Sequence, residues 1–178
     1  MGIPTLISTH TASDSSSVDI TSGIDSTYDE YMFVFTDINA ATSATQFSFQ
    51  VNAVGESDFD ETITSTWFHA AQYEADSWAG LEYQAANDQA QGTGYQYLPL
   101  QMGAESDESG AGILHLYSPS STTYVKHFHA RFNNYGQDDS TRNTFIAGYF
   151  NLTAAIDEIS FKMSSGNFDG VIQTYGIS

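Results

Sequence analysis

Phe47-Ser48-Phe49-Gln50-Val51-Asn52-Ala53 alternates apolar and polar residues without a break. That is the period-2 signature of a strand with one face on a core, and it places Phe47, Phe49, Val51 and Ala53 inward. Upstream, the apolar run Tyr31-Met32-Phe33-Val34-Phe35 predicts a strand buried on both faces, and Val18-Asp19-Ile20 a short strand ended by Gly23. Downstream, Ser65 to Gln91 reads as two strands, around Trp67-Phe68-His69 and Leu81-Glu82-Tyr83, joined by a turn at Asp76-Ser77-Trp78-Ala79-Gly80. Tyr95 to Met102, interrupted by Pro99, and Ile113 to Tyr117 add two more. Thr122 to Phe132 alternates again, with Tyr124, Lys126, Phe128, Ala130 and Phe132 on one face. A polar loop is expected from Asn133 to Asn143, then strands at Phe145 to Phe150, around Ile159, Phe161 and Met163, and at Val171 to Ile177.

Many short strands punctuated by turns, with no heptad or repeat, define an all-β chain. The expected architecture is an antiparallel β-sandwich of jelly-roll type. Residues 1–17, rich in Ser and Thr, read as an extended N-terminal arm or a leading edge strand, and residues 18–178 as the sandwich domain.

The charge balance narrows the partners. Asp and Glu total 22 against four Lys and Arg, a formal net charge of −18 in 178 residues. Such a surface repels phosphate backbones and anionic membranes, so neither nucleic acid nor a membrane is an expected partner. Self-repulsion of this size is relieved by screening, which favours a salty or divalent-rich medium outside a cell, or a halophilic cytosol. The chain has no cysteine, so disulfides and thiolate metal sites are excluded. The opening residues lack the basic region and apolar run of a signal peptide, and no stretch approaches the roughly 18 apolar residues of a membrane span.

Three constellations carry candidate chemistry. His127 and His129 lie two apart, so a strand points both imidazoles to one face, a candidate transition-metal pair. A His-x-His metal motif of the cupin kind also needs a nearby carboxylate and a later histidine. Neither follows His129, which leaves solvent-facing or interface histidines beside Arg131 as the competing reading. Asp58 with Asp60, and Asp138 with Asp139, are oxygen-rich loop positions that could hold calcium, or simply face water. Trp67, Trp78, Tyr73 and Tyr83 sit among amides and carboxylates, the combination that stacks on sugar C–H faces while bonding hydroxyls; core or interface packing is the alternative. No Gly-x-Ser-x-Gly elbow or phosphate-binding loop appears, and no carboxylate pair stands out, so the expected role is non-enzymatic.

The chain also resembles virion structural proteins of marine tailed phages, cyanophages among them. The likeness rests on Gly2-Ile3-Pro4-Thr5-Leu6-Ile7, on Thr21-Ser22-Gly23-Ile24-Asp25-Ser26-Thr27-Tyr28, on Ser118-Pro119-Ser120-Ser121-Thr122-Thr123, on Phe145-Ile146-Ala147-Gly148-Tyr149-Phe150, and on Ser164-Ser165-Gly166-Asn167 leading to Tyr175-Gly176-Ile177. These motifs are turns and strands and imply no catalytic residues. The resemblance implies an exterior particle component (capsid decoration, fibre or baseplate/tail subunit) with other virion subunits as partners. A homo-oligomer, a trimer first, is the expected state, and the location is the extracellular virion. A carbohydrate-binding module recognising a host-surface polysaccharide is the alternative function.

Overall fold

The computed structural model describes residues 2–178 and contains thirteen strands and no helix. They are β1 (Thr5–Ser15), β2 (Val18–Ile20), β3 (Glu30–Ala40), β4 (Phe47–Ala53), β5 (Ile63–Tyr73), β6 (Ala79–Tyr83), β7 (Ala90–Gly92), β8 (Gln96–Tyr97), β9 (Gly110–Tyr117), β10 (Lys126–Gly136), β11 (Ser140–Phe150), β12 (Ile156–Met163) and β13 (Phe168–Ile177). Nine strands form one sheet in the order β1-β13-β3-β9-β10-β11-β5-β6, with β7 also on β5, and four form the other in the order β2-β12-β4-β8. All pairings between the strands are antiparallel, so the chain is an antiparallel β-sandwich. The jelly-roll refinement does not follow from this strand order. A jelly roll divides eight strands between two sheets, whereas here the division is nine against four.

The core is aromatic. Phe47 of the small sheet lies against Phe35, Phe132 and Phe168 of the large sheet and stacks with Phe161 beside it, at centroid distances of 5.3–6.1 Å. Phe49 meets Phe128 and Phe150 in the same way further along. Rings that meet edge to face or tilted gain quadrupolar attraction beyond their buried area. Lys126, in phase with Phe128 on β10, is wholly buried and donates to the carbonyls of Leu152 and Ala154, tying down the loop before β12.

Several expectations are corrected. In β4 the polar residues are buried along with the apolar ones, because loops cover the outer face of the small sheet. Ser48 donates to Lys162 O at 2.8 Å, Gln50 to the carbonyls of Glu61, Thr93 and Gly94 at 2.9–3.1 Å, and Asn52 to Glu56 O at 3.2 Å. In β3, expected to be buried on both faces, Met32 and Val34 are only half-buried, since nothing covers that side of the large sheet. The loop expected from Asn133 to Asn143 is mostly strand: β10 and β11 pair from Lys126↔Phe150 to Gly136↔Ser140 around a turn at residues 137–139. Of the two readings of the N-terminal segment, the edge strand is the one observed. β1 pairs with β13 from Thr5↔Gly176 to Ser15↔Phe168, so it does not project as a free arm.

Phe47→Ala removes the ring that joins the two sheets and is expected to cost about 3–5 kcal/mol of unfolding free energy. Phe47→Leu, which keeps most of the volume, should cost less than Phe47→Ala. Urea unfolding of the two variants beside the parent measures the difference.

Candidate functional site

The two outer faces of the sandwich differ. Loops close over the small sheet, while the large sheet exposes a broad face built from alternate residues of its strands. Cross-strand register aligns these into rows. One runs Tyr83, Phe68, Phe145, Arg131, Ile113 and Val34. The next runs Thr66, Ala147, His129, His115, Met32 and Tyr175. Neither row contains a carboxylate, in a chain that has 22.

Within the first row Phe68 and Phe145 stack at 5.1 Å and 11°, and the Arg131 guanidinium sits 5.3 Å from the Phe145 ring centre. Arg131 also donates from Nε to Asn143 Oδ1 at 2.9 Å. Its guanidinium is thus held over the Phe145 ring, with the residue still exposed. Of the four basic residues, Lys126 and Arg142 are buried and Lys162 is half-buried over the Tyr95 ring, which leaves Arg131 as the exposed one. In the second row His115 and His129 stack at 4.6 Å and 12°. The Tyr117 hydroxyl lies 3.0 Å from His129 Nδ1, and Glu30 pairs with His115. Burial and the neighbouring His115 hold the His129 pKa below its usual value, with Glu30 pulling the other way. Small residues (Ala111, Gly112, Ala147 and Gly148) leave shallow open depressions of about 470, 360 and 340 Å³ on this face. Such a corrugated surface is complementary to another protein surface more than to a small molecule.

A second concavity, of about 360 Å³, lies on the opposite side of the large sheet, beside the segment 98–102 that follows β8. His69 and Tyr73 of β5, Trp78 of the β5–β6 turn, Glu82 of β6, and Asp138 and Arg142 at the β10–β11 turn line it. Arg142 is 3% exposed; it donates to Leu100 O at 3.1 Å and forms an ion pair with Asp138. Burial alone would raise the Asp138 pKa, but hydrogen bonds from Ser140 and Tyr73 and the Arg142 charge outweigh it and hold the carboxyl below its usual range. His69 is 2% exposed, and its Nδ1 has no hydrogen-bond partner. Burial, then the Arg142 charge, lowers its pKa, against a smaller opposite pull from Glu82.

The sequence-derived candidates divide accordingly. Trp67 cannot stack on a ligand: it is fully buried and donates from Nε1 to Tyr97 O at 3.1 Å. Trp78 and Tyr73 do come together, edge to face at 5.9 Å. Tyr83 is exposed on the outer face, bonded to Asp88, and so lies apart from them. His127 and His129 share the outer face, and each packs on a different ring: His129 stacks on His115, and His127 meets Tyr149 at 6.0 Å. Asp58 and Asp60 are exposed in the β4–β5 loop. Asp138 is engaged by Arg142, and Asp139 takes the left-handed turn conformation (φ 53°) that Asp tolerates better than most residues. Among the described residues no three His, Asp or Glu side chains gather as they would around a metal ion.

Of His69, His115 and Arg142, the sequence offers the two histidines only as possible contributors from other strands, with nothing to bring them together, and it gives Arg142 no role. His69 was within reach, since its two-residue spacing from Trp67 puts both on the inner face. The other two depend on cross-strand register, which no local pattern encodes. A scan against protein-family models finds no match for the chain, and a search of curated proteins finds none.

His69 and His129 both bind protons more weakly in the fold than in the unfolded chain, where histidine titrates near 6.5. The unfolded state therefore takes up more protons as the pH falls. This contribution to stability is complete above about 6.5, declines below it, and levels off once the folded-state values are passed. Denaturant unfolding at about pH 8 and about pH 5 should show lower stability at the acidic end, and His129→Gln should shrink the difference.

Proposed function

We propose that this chain is a non-enzymatic structural subunit of a tailed-phage particle, displayed on the exterior as a capsid decoration, fibre or baseplate/tail subunit. It joins a neighbouring copy of itself through the outer face of the nine-stranded sheet. The observation that carries the assembly reading is the contrast between the two outer faces. In the small sheet β4 buries even its polar residues, whereas the large sheet leaves Phe68, Phe145, Ile113, Met32 and Tyr83 facing out, Ile113 and Tyr83 exposed and the other three half-buried. The resemblance to virion structural proteins supplies the setting, and an acidic, disulfide-free chain that gains from screening suits it.

Charge complementarity selects the occupant. The face carries the one exposed arginine and three histidines, with Glu30 paired to His115, and the rest of the surface of each copy is rich in carboxylates. Pairing this face with itself would oppose two faces that each carry an exposed arginine. Pairing it with an acidic region of the next copy is attractive, and such a head-to-tail contact forms a ring when the rotation between copies closes, with three copies the smallest closed form.

Light scattering at seawater ionic strength should give the mass of a trimer or another closed ring. Arg131→Glu, which adds a like charge to the contact, should weaken association by about tenfold or more while leaving the monomer folded. A monomeric parent protein at all concentrations, or an assembly indifferent to Arg131→Glu, would contradict the proposal.

A further inference from the structure

From the pocket beside residues 98–102 we infer a second capability, separate from assembly: it binds one neutral sugar ring of a glycan. The aromatic platform comes first. Trp78 is 38% exposed, yet it is braced, because it folds over Gly80, where an added Cβ would lie 2.7 Å from the indole. Tyr73 supports it edge-on. An indole held in place over a cavity presents a flat apolar surface at little entropic cost, which suits the C–H face of a pyranose.

The polar groups around the platform match hydroxyls. Asp138 and Glu82 accept, Arg142 donates, and the Gln101 amide does both. His69 is the least satisfied group in the wall: a ring 98% buried whose Nδ1 has no partner in the protein. That nitrogen has no surface open to solvent, so the ring serves as a wall of the pocket and the sugar hydroxyls are left to Asp138, Glu82, Arg142 and Gln101. The volume, about 360 Å³, fits one ring and not a long chain, so the recognised unit is a single residue or chain end.

Charge decides the class of sugar. An anionic sugar would meet Asp138 and Glu82, two carboxylates against the single Arg142, whose charge Asp138 already neutralises. A cationic sugar would find only Glu82, at the rim, as an unpaired counter-charge, since Asp138 is committed to Arg142. A neutral polyol needs no counter-charge and can use the donors and acceptors of the wall as they stand.

Saturation-transfer difference NMR with D-glucose, D-galactose, D-mannose and N-acetyl-D-glucosamine tests the assignment, with D-glucuronate as the anionic comparison. Transfer to the ring C–H protons of at least one neutral sugar is expected. Trp78→Ala should weaken binding about tenfold, and Glu82→Gln, at the rim of the pocket, should weaken it measurably. Tyr124→Ala, at an exposed residue outside the pocket, should leave it unchanged, and unaltered urea midpoints would show that the variants remain folded. Absence of transfer to all four neutral sugars, equal binding in folded Trp78→Ala, or preference for glucuronate would each overturn the inference.

Discussion

The contact between Phe47 and the rings of Phe35, Phe132, Phe161 and Phe168 is the constraint on which the structure depends. These five residues come from β4, β3, β10, β12 and β13, so one cluster clamps both sheets and ties segments more than a hundred residues apart. A four-stranded sheet can cover only part of a nine-stranded one. Where the cluster sits therefore decides which part of the large sheet is core. The inner face beyond it is closed by the segment 98–102, and the concavity with His69, Trp78 and Arg142 forms at that margin.

The same imbalance organises the exterior. On the small sheet the sequence supplies covering loops, and Gln50 and Asn52 bond to their carbonyls, while Ser48 bonds to Lys162 of the neighbouring strand. On the large sheet no loop returns, and the exposed rows keep their aromatic, histidine and arginine side chains in register across six strands. The chain's one exposed arginine thus lies where its apolar groups also reach solvent. Hydrophobic contact gives such a face affinity, and complementary charge gives it direction.

Much of this was legible in the sequence wherever information is local. The alternation of Phe47 to Ala53 placed the core face of β4 correctly, and Asp76-Ser77-Trp78 marked the β5–β6 turn, although Ala79 and Gly80, expected in that turn, belong to β6. What was not legible depends on distant partners. Gln50 looks solvent-facing until Glu61, Thr93 and Gly94 are folded over it. Asn133 to Asn143 reads as a loop because it is polar, yet Asn134 and Arg142 turn inward to the carbonyl of Leu100 and Asn133 bonds across the hairpin to Thr141. The polar N-terminal segment has the composition of an arm because an edge strand buries little, and only its register with β13 reveals the strand. Among the candidate residues, the pairing of Trp78 with Tyr73 was visible as proximity in sequence. The burial of Trp67 was not: its aromatic type suits a core and a binding surface equally.

In the proposed assembly the outer face of the large sheet is covered by a neighbouring copy. Hydroxyl-radical footprinting read by mass spectrometry reports such coverage directly, comparing concentrated protein at seawater ionic strength with dilute protein. Concentration-dependent protection of Phe68, Phe145, Met32 and Tyr83 is expected, with Trp78 and Tyr124 equally reactive in both samples. Equal oxidation of the outer-face residues in the two states, or protection confined to the loops over the small sheet, would contradict that assembly.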